Sequence, residues 1–399
     1  MKPRIGIILI FVILFIFTKN LNSFAGPISH KQTISFDDGS IIAGIKFNDD
    51  GTKLFTVYGN ITSSINHVNE YSLSKPYDIS TRSYSGDNER CVLTNNEASN
   101  SHTLYDLELS SDGRMLFVTS RSPGSDTAGA DQVFRYDLSK PYDISTCSFH
   151  QKTTDLDQSS LTSGSNAGDF DHDNAQNRKH RLQGLEFSDD GRKLFLIFFD
   201  TNDSNVGSRL YEYTLSTPYD LSTLSLNKNA GIKFNNSTTN GVNNPASMRF
   251  SSNGRRIFLV SHDDVNASIT QVSLIKPYDT SSFIIHGRQN IFTGLSDSSN
   301  KQPRGVAFSK SGLKLYIGND NNMNSLDQIM EYDLACPFNI FEGNCPEINE
   351  DKDRLAMAEA NIDLAKRTID YSTKSALNRL KWIKRNKDKQ DLSNLNIDF

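Results

Sequence analysis

Tryptophan occurs once and cysteine four times in this 399-residue chain, and beyond Phe17 no apolar run is long enough to cross a bilayer as a helix. Later membrane-spanning helices are thereby excluded. Gly-x-Ser-x-Gly, His-Glu-x-x-His, a phosphate-cradling glycine-rich loop and Cys-x-x-Cys are all missing. With them go the usual sequence signatures of serine hydrolases, zincins, nucleotide-binding enzymes and dithiol redox enzymes. Positive charge is short in the body of the chain. The net charge is −5; residues 1–25 and 351–399 each contribute +3, which leaves −11 for 26–350. Nucleic acid is therefore not an expected partner, because phosphate contacts need clustered Lys and Arg.

The one long apolar run is at the start. "MKPR" precedes Ile5–Phe17, interrupted only by Gly6, and Ser23 and Ala25 place small residues three and one before a cut after Ala25. This is the pattern of a signal peptide over 1–25, so the mature chain is expected to be exported to the periplasm, the cell surface or the medium. Four cysteines in an exported chain allow two disulfides. Cys336 and Cys345, close together in "CPFNIFEGNC", are the expected pair, with Cys91 and Cys147 as the remainder.

What the body does contain is a repeat. Five apolar segments end in a turn: "GIKFNDDG", "DLELSSDG", "GLEFSDDG", "SMRFSSNG" and "GVAFSKSG", with their glycines at 51, 113, 191, 254 and 312. Each runs straight into a second apolar segment, such as "TKLFTVY" or "RKLFLIF". A third, such as "VNEYSL" or "LYEYTL", follows after a polar loop, and then comes "LSKPYDIST" or a variant of it. A weaker fourth segment closes the first four copies: "RSYS", "CSFH", "LSLN" and "FIIH". β-Branched and aromatic residues in short runs, broken by Asp-Gly or Asn-Gly, read as strands and tight hairpins. Four strands per repeat predict an all-β β-propeller of five blades over 26–347, with a degenerate sixth blade as the alternative. The fifth copy lacks a fourth strand, and "HKQTISF" (30–36) is a spare strand at the other end. It is expected to complete the last blade and close the ring, which removes open sheet edges.

The combination "F-S-x-D-G-x-K-L-F … Y-x-L-S-x-P-Y-D-I-S-T" resembles propeller repeats of exported bacterial and phage-tail proteins, over roughly 31–345. At the level of fold it is also similar to lactonase-like and NHL-like propellers. Residues 348–399 differ in character. Leu355, Ile362, Ile369, Ala376 and Ile383 fall seven apart, with no proline or glycine from 351 onward, which predicts a long α-helix with one narrow apolar stripe. "SALNRLKWIKRNKDKQDLSNLNIDF" resembles the linker before the outer-membrane barrel of autotransporter-like proteins. That resemblance implies a passenger lacking its barrel and outer-membrane association through the tail.

In such a ring, the loops entering each inner strand share a face with those joining the second and third strands. That face carries the length variation and is where function is expected. His102 and His180 each lie seven residues before a matched apolar position, Leu109 and Phe187. Asp106 stands where the other copies have Gly44, Gly184, Ser247 and Gly305, and Tyr105, Gln183 and Arg304 precede the same position in their own copies. Together these side chains are candidates for the channel mouth, holding a metal or a small polar ligand. Glu108 and Glu186 lie further along their strands and are expected to face blade contacts. "DFDHDN" spaces Asp169, Asp171 and Asp173 by two, as a calcium loop does; Asn174 stands in the glycine position and His180 in that of the final Glu, so the three carboxylates are candidates for a loose calcium site rather than a standard calcium loop. Asp200, Asp203, Asp263, Asp264 and Asp320 are candidates for an acidic rim.

The Pro-Tyr-Asp segments read as the hairpins between third and fourth strands on the opposite face. A repeated sugar pocket on Tyr77, Tyr142, Tyr219 and Tyr278 is the alternative. The expected function is a binding or display module for an extracellular ligand or protein. The competing expectation is a lactonase- or glycosidase-like hydrolase, with Asp106, His102 and His180 near a metal; glycosidases, however, need paired carboxylates.

Overall fold

The fold is taken from a computed structural model of the chain. It describes residues 27–36, 42–58, 66–93, 103–121, 131–154, 156, 180–200, 208–227, 229–234, 245–261, 267–291, 301–321, 327–343, 345 and 381. The signal-peptide segment, "DFDHDN" and nearly all of the predicted helical tail lie outside these residues. The chain divides into two compact units, Met1–Cys345 and Pro346–Phe399. In the second, Lys381 alone is described, in helical conformation.

The first unit is a five-bladed β-propeller. Blade one comprises β2 (Ile42–Phe47), β3 (Lys53–Tyr58), β4 (Asn66–Leu73), β5 (Arg82–Ser83) and β6 (Arg90–Leu93). Blade two is β7 (Thr103–Leu109), β8 (Met115–Arg121), β9 (Gln132–Leu138) and β10 (Cys147–Lys152). Blade three is β11 (His180–Phe187), β12 (Lys193–Asp200), β13 (Arg209–Leu215), β14 (Leu224–Leu226) and β15 (Ile232–Lys233). Blade four is β16 (Pro245–Phe250), β17 (Arg256–Ser261), β18 (Ser268–Leu274) and β19 (Phe283–Asn290). Blade five is β20 (Lys301–Phe308), β21 (Lys314–Asn321) and β22 (Asp327–Leu334), completed by β1 (Ile28–Phe36). β1 runs antiparallel to β22, from Ile28 opposite Leu334 to Phe36 opposite Asp327. The N-terminal strand therefore closes the ring, two residues longer than the sequence pattern predicts.

In blades one and three the fourth strand is split. β5 pairs with the end of β4 at Ser72 and Leu73, whereas β6 pairs with its beginning, Asn66–Asn69. β14 and β15 divide β13 in the same way. A 3-10 turn over Gly86–Glu89 separates the two pieces in blade one. The polar insertions there break the apolar alternation, so only the first piece was readable as a strand.

The core lies between blades. The middle aromatic of each second strand is fully buried and, in four junctions, meets an aromatic on the next inner strand. Ring centroids lie 4.5 Å apart for Phe117 and Phe187, 4.6 Å for Phe195 and Phe250, 4.6 Å for Phe258 and Phe308, and 4.7 Å for Tyr316 and Phe47. Such pairs contribute about 0.5–1.5 kcal/mol each beyond the area they bury. Both expected disulfides are formed. Cys91–Cys147 joins β6 of blade one to β10 of blade two, and Cys336–Cys345 closes a short loop after β22. Two disulfides fit an oxidising, extracytoplasmic compartment.

Candidate functional site

The inner strands β2, β7, β11, β16 and β20 surround the channel, and each carries a register irregularity just before or at its axial residue. These β-bulges occur at matched positions and re-aim the side chains there. At one level along the axis stand Gly44, Asp106, Gly184, Ser247 and Gly305. Only one side chain of any size fits. A Cβ on Gly44 would lie 2.6 Å from Asp106 Oδ1, and one on Gly184 would lie 3.2 Å from Oδ2.

Asp106 is fully buried, so it does not line an open mouth as the sequence suggested. The reason is Arg249, from blade four. Its Nη2 donates to Asp106 Oδ1 at 3.0 Å and its Nη1 to Oδ2 at 3.2 Å. Ser247 Oγ donates to Oδ2 at 2.8 Å, and the Leu107 N–H donates to Oδ1 at 2.9 Å. Arg249 also donates to the carbonyls of Ile45 (3.0 Å), Leu107 (3.0 Å), Leu185 (3.3 Å) and Met248 (2.6 Å). One guanidinium thus ties the inner strands of four blades. Burial pushes the Asp106 carboxyl up and Arg249 opposes it. The bidentate pair keeps the ionised form supplied with donors.

The next level toward the Asp-Gly turns holds Lys46, Glu108, Glu186, Arg249 and Ala307. Glu108 and Glu186 face the axis rather than blade contacts. Lys46 Nζ lies 2.7 Å from Glu108 Oε2 and 3.7 Å from Glu186 Oε1, and Arg249 Nη1 lies 3.4 Å from Glu186 Oε2. Arg249 and Lys46 are the residues that the sequence reading missed. The signal was present in the third residue of "GIKF", "DLEL", "GLEF", "SMRF" and "GVAF": two cations, two anions and one alanine in a single column.

Tyr105, Gln183 and Arg304 occupy matched bulge positions, equivalent to Ala43 and Ala246. Gln183 is buried, with its Oε1 lacking a hydrogen-bond partner, and Arg304 Nη2 donates to Gln302 Oε1 at 2.6 Å. His180 begins β11, but its side chain, like that of Asp200 or Asp320, lies outside the described residues. So do His102, Asp169, Asp171, Asp173, Asp203, Asp263 and Asp264 entirely. Among the described residues, no three His, Cys, Asp or Glu side chains gather as a metal would require.

The repeated Pro-Tyr-Asp segment has a different task. Tyr77, Tyr142, Tyr219, Tyr278 and Phe338 all have positive φ, between 49° and 61°. Proline sets the first corner of a turn whose second corner is left-handed, and an aromatic rather than glycine occupies it. The strain, about 1–2 kcal/mol per residue, is held by four contacts at Tyr77, and by three of the same kinds at Phe338, which has no hydroxyl. The ring packs on the Asp-Gly turn, where a Cβ on Gly51 would lie 2.3 Å from the Tyr77 ring. The Tyr77 N–H donates to Gly51 O at 2.8 Å, and its hydroxyl donates to Asp49 O at 2.8 Å.

The fourth contact comes from the preceding blade, which grips the carbonyl of the left-handed residue. Lys53 donates to Tyr142 O (2.7 Å), Arg135 to Tyr219 O (3.1 Å), Lys193 to Tyr278 O (2.6 Å) and Arg256 to Phe338 O (2.7 Å). The Tyr316 hydroxyl donates to Tyr77 O at the junction of blades five and one. Beside these, Glu70, Glu212 and Gln271 accept from the N–H groups of Ile144 (3.1 Å), Thr280 (3.0 Å) and Ile340 (3.1 Å) of the next blade. Gln151 faces the Leu221 N–H at 2.9 Å when its amide oxygen is turned toward it. The tyrosines are inter-blade fastenings.

A five-bladed propeller with an ion pair across its channel is the class that these features define. No family model matches the chain, and no curated protein matches it. Solved structures match at the level of fold. An α-L-arabinofuranosidase from Lactobacillus brevis is 11% identical with a TM-score of 0.42, over 79% of this chain and 93% of that one. The periplasmic gluconolactonase PpgL of Pseudomonas aeruginosa is 13% identical with a TM-score of 0.35, over 74% and 71%. A protein from Lactobacillus plantarum is 12% identical with a TM-score of 0.36; the match takes in 70% of this chain and 64% of that one.

Proposed function

We propose that the protein is an exported, surface-associated propeller that acts as a binding or display module for an extracellular ligand or protein. The observation that carries this reading is the state of Asp106. It is the axial carboxylate that the sequence offers to a hydrolase, and Arg249, Ser247 and the Leu107 N–H occupy both of its oxygens. A carboxylate bound in this way is a poor nucleophile or general base. The fastened face is nearly constant from blade to blade, whereas the loops of the opposite face vary in length, as they do in scaffolds that bind through loops. The tail after Cys345 would supply the attachment at the outer membrane.

The test is a paired assay on the purified mature protein. A panel of lactones and chromogenic glycosides measures turnover, and a glycan array with immobilised matrix proteins measures binding. Saturable binding that survives D106N, with no turnover, supports the proposal. Turnover abolished by D106N overturns it. Protease shaving of intact cells of the source organism tests display: release of the 26–345 fragment is expected, and full protection counts against a surface location.

A further inference from the structure

Three carboxylates and two cations share the axis. Asp106 has Arg249, Ser247 and the Leu107 N–H. Glu108 has Lys46 at 2.7 Å from both oxygens and the Leu109 N–H at 3.0 Å. Glu186, with 9% of its side chain exposed, is left with Arg249 at 3.4 Å and Lys46 at 3.7 Å, both already committed elsewhere. The groups facing it are Lys46 from β2, Asp106 and Glu108 from β7, and Arg249 from β16, while β20 presents the uncharged Ala307 at this level. On the turn side stands Tyr278, whose hydroxyl donates to Asp189 at 2.8 Å. An ionised Glu186, buried as it is, would leave one negative charge of this cluster uncompensated, which is unfavourable.

We propose that Glu186 is a proton-binding residue of the channel, neutral in mildly acidic surroundings, and that its ionisation as pH rises loosens the ring. Burial lifts its carboxyl to about 7; Glu108 and Asp106 add to the rise, and Lys46 and Arg249 oppose it. The folded form thus holds a proton that the unfolded chain releases above its ordinary value of 4.5. Stability from this group is full below that value. It declines as pH rises toward 7 and stays reduced above, the opposite of a salt-bridged acid.

Two measurements on the full mature chain, disulfides intact, test this. In urea unfolding between pH 4.5 and 8.5, the unfolding constant of the wild type should rise relative to that of E186Q by up to about tenfold per pH unit until near 7, then level off. In carboxyl-labelled wild-type protein, a glutamate resonance should titrate near neutrality. Parallel pH profiles for wild type and E186Q would overturn the proposal. So would glutamate resonances that all titrate below about pH 5.5, and this second readout decides even if E186Q fails to fold.

Discussion

Arg249 Nη2 lies 3.0 Å from Asp106 Oδ1, across the channel and 143 residues away in sequence. Neither charge reaches solvent, and a buried pair of this kind is worth most as a constraint: breaking it strands a charge. D106A and R249M are each expected to destabilise the protein by about 3–5 kcal/mol, and the D106A/R249M double variant by clearly less than the sum. Urea unfolding of the four proteins checks this; full additivity would mean that the two side chains act independently.

Gly113 and Tyr142 are the second coupled pair. Gly113 has a φ of 67°, and a Cβ there would lie 2.4 Å from the Tyr142 ring. G113A should cost roughly 2 kcal/mol or more, from the left-handed backbone and the clash together. Removing the ring relieves only the clash, so G113A/Y142A should fall short of the sum of the singles in thermal melts.

Lys193 bridges blades three and four, at 2.7 Å from Glu212 and 2.6 Å from Tyr278 O. K193M leaves Glu212 buried without its cation and should lower stability by about 3 kcal/mol. Blade four itself carries a glutamine, Gln271, at the matched position, so K193M/E212Q should recover part of the loss. Equal melting temperatures for the single and double variants would refute that explanation.

The two disulfides should differ in value. Loop-closure entropy assigns about 4 kcal/mol to Cys91–Cys147, which spans 56 residues, and between about 2 and 3 kcal/mol to Cys336–Cys345, which spans 9. Replacing the first pair by serine should therefore lower the melting temperature more than replacing the second, as calorimetry under non-reducing conditions would show.

Much of the architecture was legible because a repeat averages out local ambiguity. Five Asp-Gly or equivalent turns and five Pro-aromatic turns mark the blades, and the missing fourth strand of the last copy pointed to the spare strand at the start. The channel was less legible. Asp106 stood out as an exception among small residues, but its partner came from a different column of the repeat, offset by two residues on another blade. The bulges also shift which residue faces the axis, and they depend on pairing that only the folded sheet defines. The left-handed tyrosines were invisible for another reason. Local sterics disfavour that backbone for Tyr, and it persists because the Asp-Gly turn holds the ring and the N–H while the neighbouring blade grips the carbonyl. In blade two the grip is transferred from the Lys position, occupied by Met115, to Arg135 on the third strand, a substitution that becomes intelligible only when both blades are seen together.

β1 and β22 bring the two ends of the propeller to one spot: Ile28 pairs with Leu334, and the Ala335 N–H donates to Pro27 O at 3.1 Å. Tension applied between a tether at the front of the ring and one at its back would therefore meet a single antiparallel seam. It would peel that seam one hydrogen bond at a time, as a zip opens, and blades one to four would carry no load until the seam had parted. The ring is built like a bracelet whose clasp is its weakest element under force.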